Sequence, residues 1–382
     1  MKTNIVLGAV LGASLCLAHT NDWENLSVNS INREPARTYS MPLADEAAAF
    51  TDAIEPESPY KMSLNGMWRF SWAGNPDLRV KDFYRTDFSD ANWLMIDVPS
   101  CVELRGFGTP GYVNTRYPHK LDWPFIRDRQ SGEADYNPVS SYRRTFSVPE
   151  SWKGREVFLR FDGVYSAYYV WVNGEKVGYA EDSKLPSEFN ITKFLRPGEN
   201  LLAVEVYRWC DGSYLEDQDM NRYSGIFRDV TLWSMPKDGI WDFSVKTRPV
   251  DGYESWSLEL ELESGGSASL YEADGKKVGD LSPLSNSTLQ LQLKPRLWSA
   301  EKPYLYTLVV KKAGDIRARK VGFKEVKVVG NTILFNGKKI KFKGVNRHET
   351  NPENGRSVSM EDMLKDITLF KKYNINTVRT CH

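Results

Sequence analysis

Between residues 60 and 236 the chain alternates apolar with polar residues, or runs continuously apolar, in short stretches separated by turn-forming residues. Such stretches, rich in β-branched and aromatic residues, predict β-strands with one or both faces buried. Asn173-Gly174 lies between two of them and predicts a type I′ hairpin turn. The clearest strands are LNGMWRFSW (64–72), SYRRTFSVP (141–149), REVFLRFDGV (155–164), AYYVWVNGEKVGYA (167–180) and NLLAVEVYRW (200–209). This many short strands predicts a sandwich or jelly roll.

A second β segment covers about residues 242–329, with shorter strands separated by clusters of Gly, Ser and Pro. Its strands include SWSLELELE (255–263), LYTLVVKKA (305–313) and ARKVGFKEVKVV (318–329). About seven short strands in roughly 90 residues are typical of an immunoglobulin-like sandwich. The Cys-Trp-Cys signature of antibody domains is not present.

From residue 331 the pattern changes to a strand, a helix and a second strand. KKIKFKGVN (338–346) predicts the first strand and INTVRT (375–380) the second. Ser359 is suited to cap the helix N-terminus, with Asp362 three residues later, and Asn374 is suited to end the helix. One apolar helix face is predicted from Met360, Met363, Leu364, Ile367 and Phe370. This order predicts the first elements of a parallel βα barrel, which two strands do not complete.

The composition narrows the classes of function. Lys+Arg and Asp+Glu both number 50 in 382 residues, so no net charge favours nucleic acid or an acidic membrane surface. Aromatic residues make up 13%, including 12 Trp. Aromatic rings stack on sugar rings, but most of these are expected to fill β-sandwich cores.

The N-terminus resembles a secretory signal peptide. Lys2 precedes an apolar run over residues 5–17, which is too short to span a bilayer, and small residues follow it. We therefore expect export to the periplasm or the extracellular medium, without membrane insertion. The widely spaced Cys101, Cys210 and Cys381 indicate neither a disulfide framework nor a zinc site. The predicted organisation is a signal peptide at 1–18, an N-terminal extension at 19–59, a jelly roll at 60–236, an immunoglobulin-like β-sandwich at 237–330 and the barrel start at 331–382.

Two groups of polar residues are candidates for chemistry. The chain has four His, and His348 and His382 each follow a predicted barrel strand, where barrels place reacting groups. The alternative is that each His merely caps or packs. A second group lies in RWCDGSYLEDQDMNRYSGIFRD (208–229), where acidic side chains are interleaved with Tyr. Such oxygen donors could hold a cation or sugar hydroxyls, although an acidic solvated loop is the commoner case.

Several sequence blocks together resemble the large β-galactosidases of glycoside hydrolase family 2. They are DWEN, SLNGMWRFSW, YVNTRYP, VGYAEDSKLPSEFNIT, YRWCDGSYLEDQDMNRYSGIFRDV, LWSAEKPYLY, FNGKKIKFKGVNRHETNP and NTVRTCH, in the order of the family. The resemblance extends from Asp22 to the last residue. It implies a mainly β fold with a jelly-roll sugar-binding domain, an immunoglobulin-like domain and a TIM barrel that ends here after its first βαβ elements.

The resemblance implies roles for five residues. Asn114 and Asp219 would reach from the jelly roll to hold galactose hydroxyls, and Asp219 would also ligate a monovalent cation, Na⁺ or K⁺. His348 and His382 would bind the sugar and its transition state. Arg379 would lie against the nucleophilic carboxylate and keep it ionised.

The resemblance also implies a structural divalent-cation site, for Mg²⁺ or Ca²⁺, in the jelly roll. Its ligands would be Asp22, Asn25, Glu181 and Asp211, with Glu181 standing where the best-known member has Gln. The principal Mg²⁺ ligands of the family's active site would lie beyond residue 382.

The expected reaction is hydrolysis of terminal non-reducing β-D-galactosides in oligosaccharides or glycan side chains. A retaining mechanism needs a general acid and a nucleophile about 5–5.5 Å apart. The family's two glutamates would lie on later barrel strands, so no catalytic residue is assigned here and the 382-residue chain is expected to be inactive. Two alternatives stay open: a non-catalytic carbohydrate-binding β protein, and β-glucuronidase or β-mannosidase specificity. A homo-oligomer is also compatible with the resemblance.

Overall fold

The computed structural model describes residues 21–127, 136–262, 265–285 and 288–381, so the predicted signal peptide and His382 lie outside the described residues. Within these ranges the chain is mainly β, with one α-helix, α1 (Met360–Lys372). No helix in the same ranges is long and apolar enough to cross a membrane. Two sandwiches precede a strand–helix–strand unit, which confirms the predicted fold class.

The first sandwich uses strands β1 to β17. They are β1 (Ser30–Ile31), β2 (Lys61–Ser63), β3 (Gly66–Ala73), β4 (Leu94–Val98), β5 (Gly111–Val113), β6 (Lys120–Asp122), β7 (Phe125–Arg127), β8 (Val139–Ser147), β9 (Glu156–Phe161), β10 (Val164–Tyr165), β11 (Ala167–Val172), β12 (Glu175–Ala180), β13 (Ser187–Asn190), β14 (Glu199–Tyr207), β15 (Met220–Arg222), β16 (Gly225–Ile226) and β17 (Val230–Met235). Short 3-10 helices lie at Asp22–Glu24, Ala47–Ala49, Pro76–Leu78, Val102–Arg105, Glu150–Trp152, Thr192–Phe194 and Asp211–Tyr214.

A seven-stranded sheet, in the order β1-β12-β11-β14-β8-β3-β4, packs on a four-stranded sheet, β13-β9-β17-β2. The core lies between them and includes Trp68, Val170 and Leu232, all fully buried. Burying one such side chain contributes about 1.5–3 kcal/mol before entropy is counted. The predicted hairpin turn is confirmed, because Asn173 and Gly174 have φ of 54° and 88° and join β11 to β12.

The second sandwich contains two four-stranded sheets around its own apolar core, which confirms the immunoglobulin-like prediction. Its strands are β18 (Phe243–Asp251), β19 (Ser255–Leu262), β20 (Ser267–Tyr271), β21 (Lys277–Asp280), β22 (Ser282–Pro283), β23 (Thr288–Leu293), β24 (Tyr306–Lys312) and β25 (Asp315–Val321). The N-terminal extension packs against this domain through Leu43, whose backbone N–H donates to Ile316 O at 2.8 Å.

The last region begins with an antiparallel sheet of β26 (Val326–Val329), β27 (Thr332–Phe335) and β28 (Lys338–Lys339). Then β29 (Gly344–His348) and β30 (Thr377–Cys381) pair in parallel, and α1 connects them along the chain. The single strand predicted at 338–346 is therefore wrong, because its first two residues pair with β27 and its last three with β30. The strand predicted at 318–329 likewise divides between β25 and β26.

Helix α1 has the predicted ends. The Ser359 side chain accepts from Asp362 N at 3.1 Å, while the Asp362 carboxylate accepts from Ser359 N at 3.1 Å. Asn374, with φ of 56°, adopts the left-handed conformation that ends helices. The helix begins and ends where local side chains, rather than tertiary packing, specify it.

The loop between β29 and α1 reaches across to the first sandwich. Arg356 Nη2 donates to Asn221 O at 3.2 Å, and Ser357 Oγ donates to Phe227 O at 3.0 Å. Gly355 has φ of 60°, and a Cβ there would approach Leu104 Cδ1 to 2.9 Å, so both the backbone conformation and the space favour glycine. This loop fixes the barrel strands beside the sandwich.

Candidate functional site

A cavity of about 570 Å³ lies between the carboxyl ends of β29 and β30 and one edge of the first sandwich. Asp219 and Lys184 line it from the sandwich, while His348 and Cys381, the last residues of the two barrel strands, line it from the other side. In βα barrels, the side chains that follow the strands act on the substrate. The cavity therefore brings together two of the predicted site residues, Asp219 and His348.

Asp219 is placed by the pairing of β15 with β5. It directly precedes Met220, which lies opposite Val113, and Asn221 lies opposite Tyr112. The Tyr112 hydroxyl donates a hydrogen bond to Asp219 Oδ1. The carboxylate thus faces the cavity, anchored by one phenol.

Arg222 holds the acidic loop that carries Asp219. Its side chain is 2% exposed, and its guanidinium donates to the Asp217 carboxylate, Gln218 O at 2.6 Å and Glu216 O at 3.3 Å. A planar cation with five donors can satisfy several acceptors at once. One buried guanidinium therefore holds three positions of the loop together.

The other predicted sugar-binding residues lie near the cavity without lining it. Asn114 is exposed, one residue after β5, and interacts with the Tyr112 hydroxyl. Arg379 is exposed in β30 opposite Asn346, while its neighbour Thr380 lines the cavity. His382 lies outside the described residues, so its predicted role and those of Asn114 and Arg379 stay predictions.

The cavity wall also includes four cationic side chains: Lys184, Arg228, Arg347 and Arg356. Lys184 Nζ donates to Gln218 Oε1 at 3.0 Å, and burial lowers the pKa of its ammonium group. Arg228 pairs with Glu349 at 2.9 Å, and Arg347 approaches the same carboxylate at 3.5 Å. Glu349 therefore acts as an ion-pair partner that joins the domains.

Glu181 and Asp211 form a buried acidic pair beside Cys210, with their ligand atoms within 4.8 Å of one another. Burial raises the pKa of Glu181 to about 8 and also raises the pKa of Asp211. The Tyr179 hydroxyl donates to Glu181 Oε1 at 2.5 Å. Two buried carboxylates in contact need a shared proton or a cation, and their oxygens suit Mg²⁺ or Ca²⁺. The donor set fits a divalent cation.

Asp22 and Asn25, the other two predicted ligands, make different contacts. The Asp22 carboxylate accepts from the Tyr169 hydroxyl at 2.7 Å and lies 3.6 Å from Lys176 Nζ. Asn25 Oδ1 accepts from Ser27 N at 3.2 Å. The 3-10 helix Asp22–Glu24 packs beside Asp211–Tyr214, which brings Asp22 into the same region as the Glu181–Asp211 pair.

Sequence reasoning missed Lys184, Arg222 and Cys210 as parts of these sites. All three lie inside the blocks quoted for the family resemblance, so position in those blocks was the available signal. Arg222 in particular follows four acidic residues in one loop, where a buried cation is needed to offset their repulsion.

Three family models match consecutive parts of the chain. Residues 61–236 match the sugar binding domain of glycosyl hydrolases family 2, residues 231–324 match a second domain of that family, and residues 326–382 match its TIM barrel domain. The chain belongs to glycoside hydrolase family 2. The barrel match begins at β26, the first strand of the third region.

Curated relatives of this family 2 chain are β-galactosidases. The enzyme from Priestia megaterium is 41% identical over 94% of this chain and 37% of its own length. The enzymes from Clostridium acetobutylicum and Streptococcus thermophilus are 41% and 39% identical over 94% and 95% of this chain. The chain spans 36–42% of the length of these relatives.

Solved structures of similar fold include β-glucuronidases. The Ruminococcus gnavus enzyme has a TM-score of 0.67 and 21% identity, covering 87% of this chain and 57% of that one. The Dictyoglomus thermophilum enzyme has a TM-score of 0.63 and 24% identity, covering 85% and 55%. At these identities the likeness establishes the fold.

Proposed function

We propose that this family 2 protein is a β-galactosidase that removes terminal non-reducing β-D-galactose from β-D-galactosides with retention. The observation that carries the proposal is 39–41% identity to β-galactosidases over 94–95% of the chain. The cavity that joins Asp219 to His348 is the place where the sugar would bind.

In this proposal the residues of the chain bind and orient the sugar. Asp219 and Asn114 accept from galactose hydroxyls, and His348 and His382 bind the ring and its transition state. A monovalent cation at Asp219 would complete the hydroxyl contacts, and a divalent cation at Glu181 and Asp211 would stabilise the jelly roll. The general acid and the nucleophile would come from barrel strands in the portion of the relatives that this chain does not match.

The proposal is tested with nitrophenyl β-galactoside and protein made from the complete coding sequence. Activity with retention is expected, whereas the 382-residue chain should be inactive. Asp219→Asn should lower kcat/KM about 10- to 100-fold, because a hydrogen bond to a charged group contributes about 1.5–3 kcal/mol. The matched control is Asp238→Asn, an exposed acid away from the cavity, which should keep the full rate. Full activity in Asp219→Asn would refute the assigned role.

β-Glucuronidase specificity is the second candidate, favoured by the cations of the cavity wall. Lys184, Arg228 and Arg347 could attract the carboxylate of a glucuronide, whereas Asp219 would repel it. We place more weight on Asp219 because it is anchored toward the cavity, while Arg228 and Arg347 already pair with Glu349. A higher kcat/KM on nitrophenyl β-glucuronide than on the galactoside would reverse this choice.

We also propose that the protein is exported to the periplasm or the extracellular medium and acts there on β-galactoside oligosaccharides or glycan side chains. The apolar run at residues 5–17 supports this proposal. N-terminal sequencing of the protein recovered from outside the cytoplasm should begin near residue 19. An intact Met1 in that protein would argue against cleavage.

A further inference from the structure

A second cavity, of about 480 Å³, lies on the outer face of the seven-stranded sheet. It shares no lining residue with the candidate active-site cavity. Its floor comes from β11 and β14, where Tyr169 lies opposite Glu205 on the same face. Its walls come from the 3-10 helix Asp22–Glu24 and the loop at residues 79–84. Small-molecule sites typically enclose about 300–1,000 Å³, so the size fits a ligand.

Stacked aromatic pairs give this outer-face cavity its apolar surface. Tyr84 stacks on Trp171 with ring centroids 4.9 Å apart and planes 5° apart. Trp23 stacks on Tyr207 at 4.0 Å and 21°. Tyr84 is half-buried in the loop, while the other three rings are buried. Rigid aromatic surface beside polar groups suits a ligand with both C–H faces and hydroxyls, as a sugar has.

The charges around the outer-face cavity cancel, so the lining favours neither an anionic nor a cationic ligand. Three acidic and three basic side chains line it: Asp22, Asp82 and Glu205, with Arg79, Lys81 and Lys176. A phosphate or nucleic-acid site would show an excess of positive charge. An uncharged hydroxylated ligand is the class that fits this balance.

The two ion pairs in the cavity are too long for direct hydrogen bonds. Arg79 Nε lies 3.6 Å from Glu205 Oε1, and Lys176 Nζ lies 3.6 Å from Asp22 Oδ2. A hydroxyl lying beside such a pair can accept from the cation and donate to the carboxylate at the same time. Glu205 is 6% exposed, and its Oε1 accepts from the Tyr207 hydroxyl at 2.7 Å beside Arg79.

We propose that the outer-face cavity is a second carbohydrate site, which binds an uncharged oligosaccharide with one sugar against Tyr84 and its hydroxyls bonded to Arg79 and Glu205. The site lies apart from the cavity where cleavage is proposed. It would hold a glycan chain on the jelly roll without taking part in hydrolysis, and it does not depend on the galactosidase assignment.

Calorimetric titration of the 382-residue chain with galactotetraose, cellotetraose and xylotetraose tests the proposal, with tryptophan fluorescence as a second readout. At least one neutral tetraose should bind saturably in the millimolar range or below, and tetragalacturonate should bind more weakly. Tyr84→Ala and Arg79→Ala should each raise Kd about tenfold, because the first removes the stacking contact and the second removes the charged hydrogen-bond donor. Circular dichroism and the melting temperature would show that these variants are folded.

Tyr373→Ala is the matched control, because it removes an exposed ring at the end of α1, away from both cavities. It should leave Kd unchanged. The proposal is overturned if no neutral tetraose binds, if Tyr84→Ala and Arg79→Ala bind normally, or if tetragalacturonate binds more tightly than every neutral sugar.

Discussion

The two walls of the candidate active-site cavity are built differently. The sandwich wall is supported by a buried core and by Arg222, which is 2% exposed. The barrel wall has β29 and β30 paired only with each other among the described strands, and α1 has no buried side chain. Regions with few buried apolar contacts open locally at low free energy. The sandwich therefore fixes its half of the site by itself, whereas the barrel half depends on what packs against it.

The largest effect is expected from Arg222→Met, which removes the clamp of the sandwich wall. The substitution leaves the Asp217 carboxylate and several backbone carbonyls without their buried cation, which should cost about 3–5 kcal/mol of unfolding free energy. Urea denaturation followed by tryptophan fluorescence measures it. Arg85→Met removes an exposed ion pair with Asp87 and should leave the urea midpoint unchanged. Equal midpoints for both variants would show that the clamp does not stabilise the wall.

A pair of identical substitutions compares the two packing environments directly. Leu232→Ala creates a cavity in the sandwich core, where the side chain is 0% exposed, and should cost about 2–5 kcal/mol. Leu364→Ala changes a side chain on α1 that is 44% exposed and should cost under about 0.5 kcal/mol. A cost for Leu364→Ala as large as that for Leu232→Ala would mean that α1 is covered in solution.

The acidic pair predicts that the stability of the sandwich depends on pH and on divalent cations. An unfolded Glu titrates near 4.5 and folded Glu181 near 8, so the folded state holds an extra proton between these values. Without divalent cations, the melting temperature should therefore fall by several degrees as the pH rises from 5 to 8. Mg²⁺ or Ca²⁺ should restore it at pH 8.

Differential scanning fluorimetry with and without EDTA measures this response. Glu181→Gln should flatten the pH dependence, whereas Glu353→Gln, an exposed acid in the loop before α1, should not. A wild-type melting temperature that rises toward pH 8 in EDTA would contradict the assigned sign.

The last effect is confined to the barrel half. Ser359→Ala removes the N-cap of α1, which should cost about 0.5–2 kcal/mol of local stability. Hydrogen exchange should quicken in α1 and stay the same in β11 and β14. Slower or unchanged exchange in α1 would show that tertiary packing, not capping, holds the helix.

Most of the architecture could be predicted from the sequence, because turn and capping residues specify many of its elements locally. Asn173-Gly174 fixed a hairpin, and Ser359, Asp362 and Asn374 fixed the ends of α1. The error at residues 338–346 arose because strand propensity does not reveal a change of partner. Lys339 pairs with β27 whereas Gly344 pairs with β30, and only tertiary structure separates them.

The candidate sites were partly predictable. Asp219 and His348 were singled out by chain position relative to strands and by family resemblance, and they share a cavity. The role of Arg222 was not foreseen, because the sequence of a polar loop does not show which Arg side chain will be buried. The outer-face cavity depends on residues 21–23, 79–84 and 169–207 meeting across the sheet, which no single stretch of sequence encodes.

Two of the bonds that hold the loop between β29 and α1 on the sandwich use backbone oxygens of the sandwich. Arg356 and Ser357 donate to the carbonyl oxygens of Asn221 and Phe227, and both of these residues also line the cavity. The Asn221 side chain is exposed, so substitutions there can alter which glycan is accepted without removing the bond to its carbonyl oxygen. Such a separation lets specificity diverge during evolution while the domain arrangement is inherited unchanged.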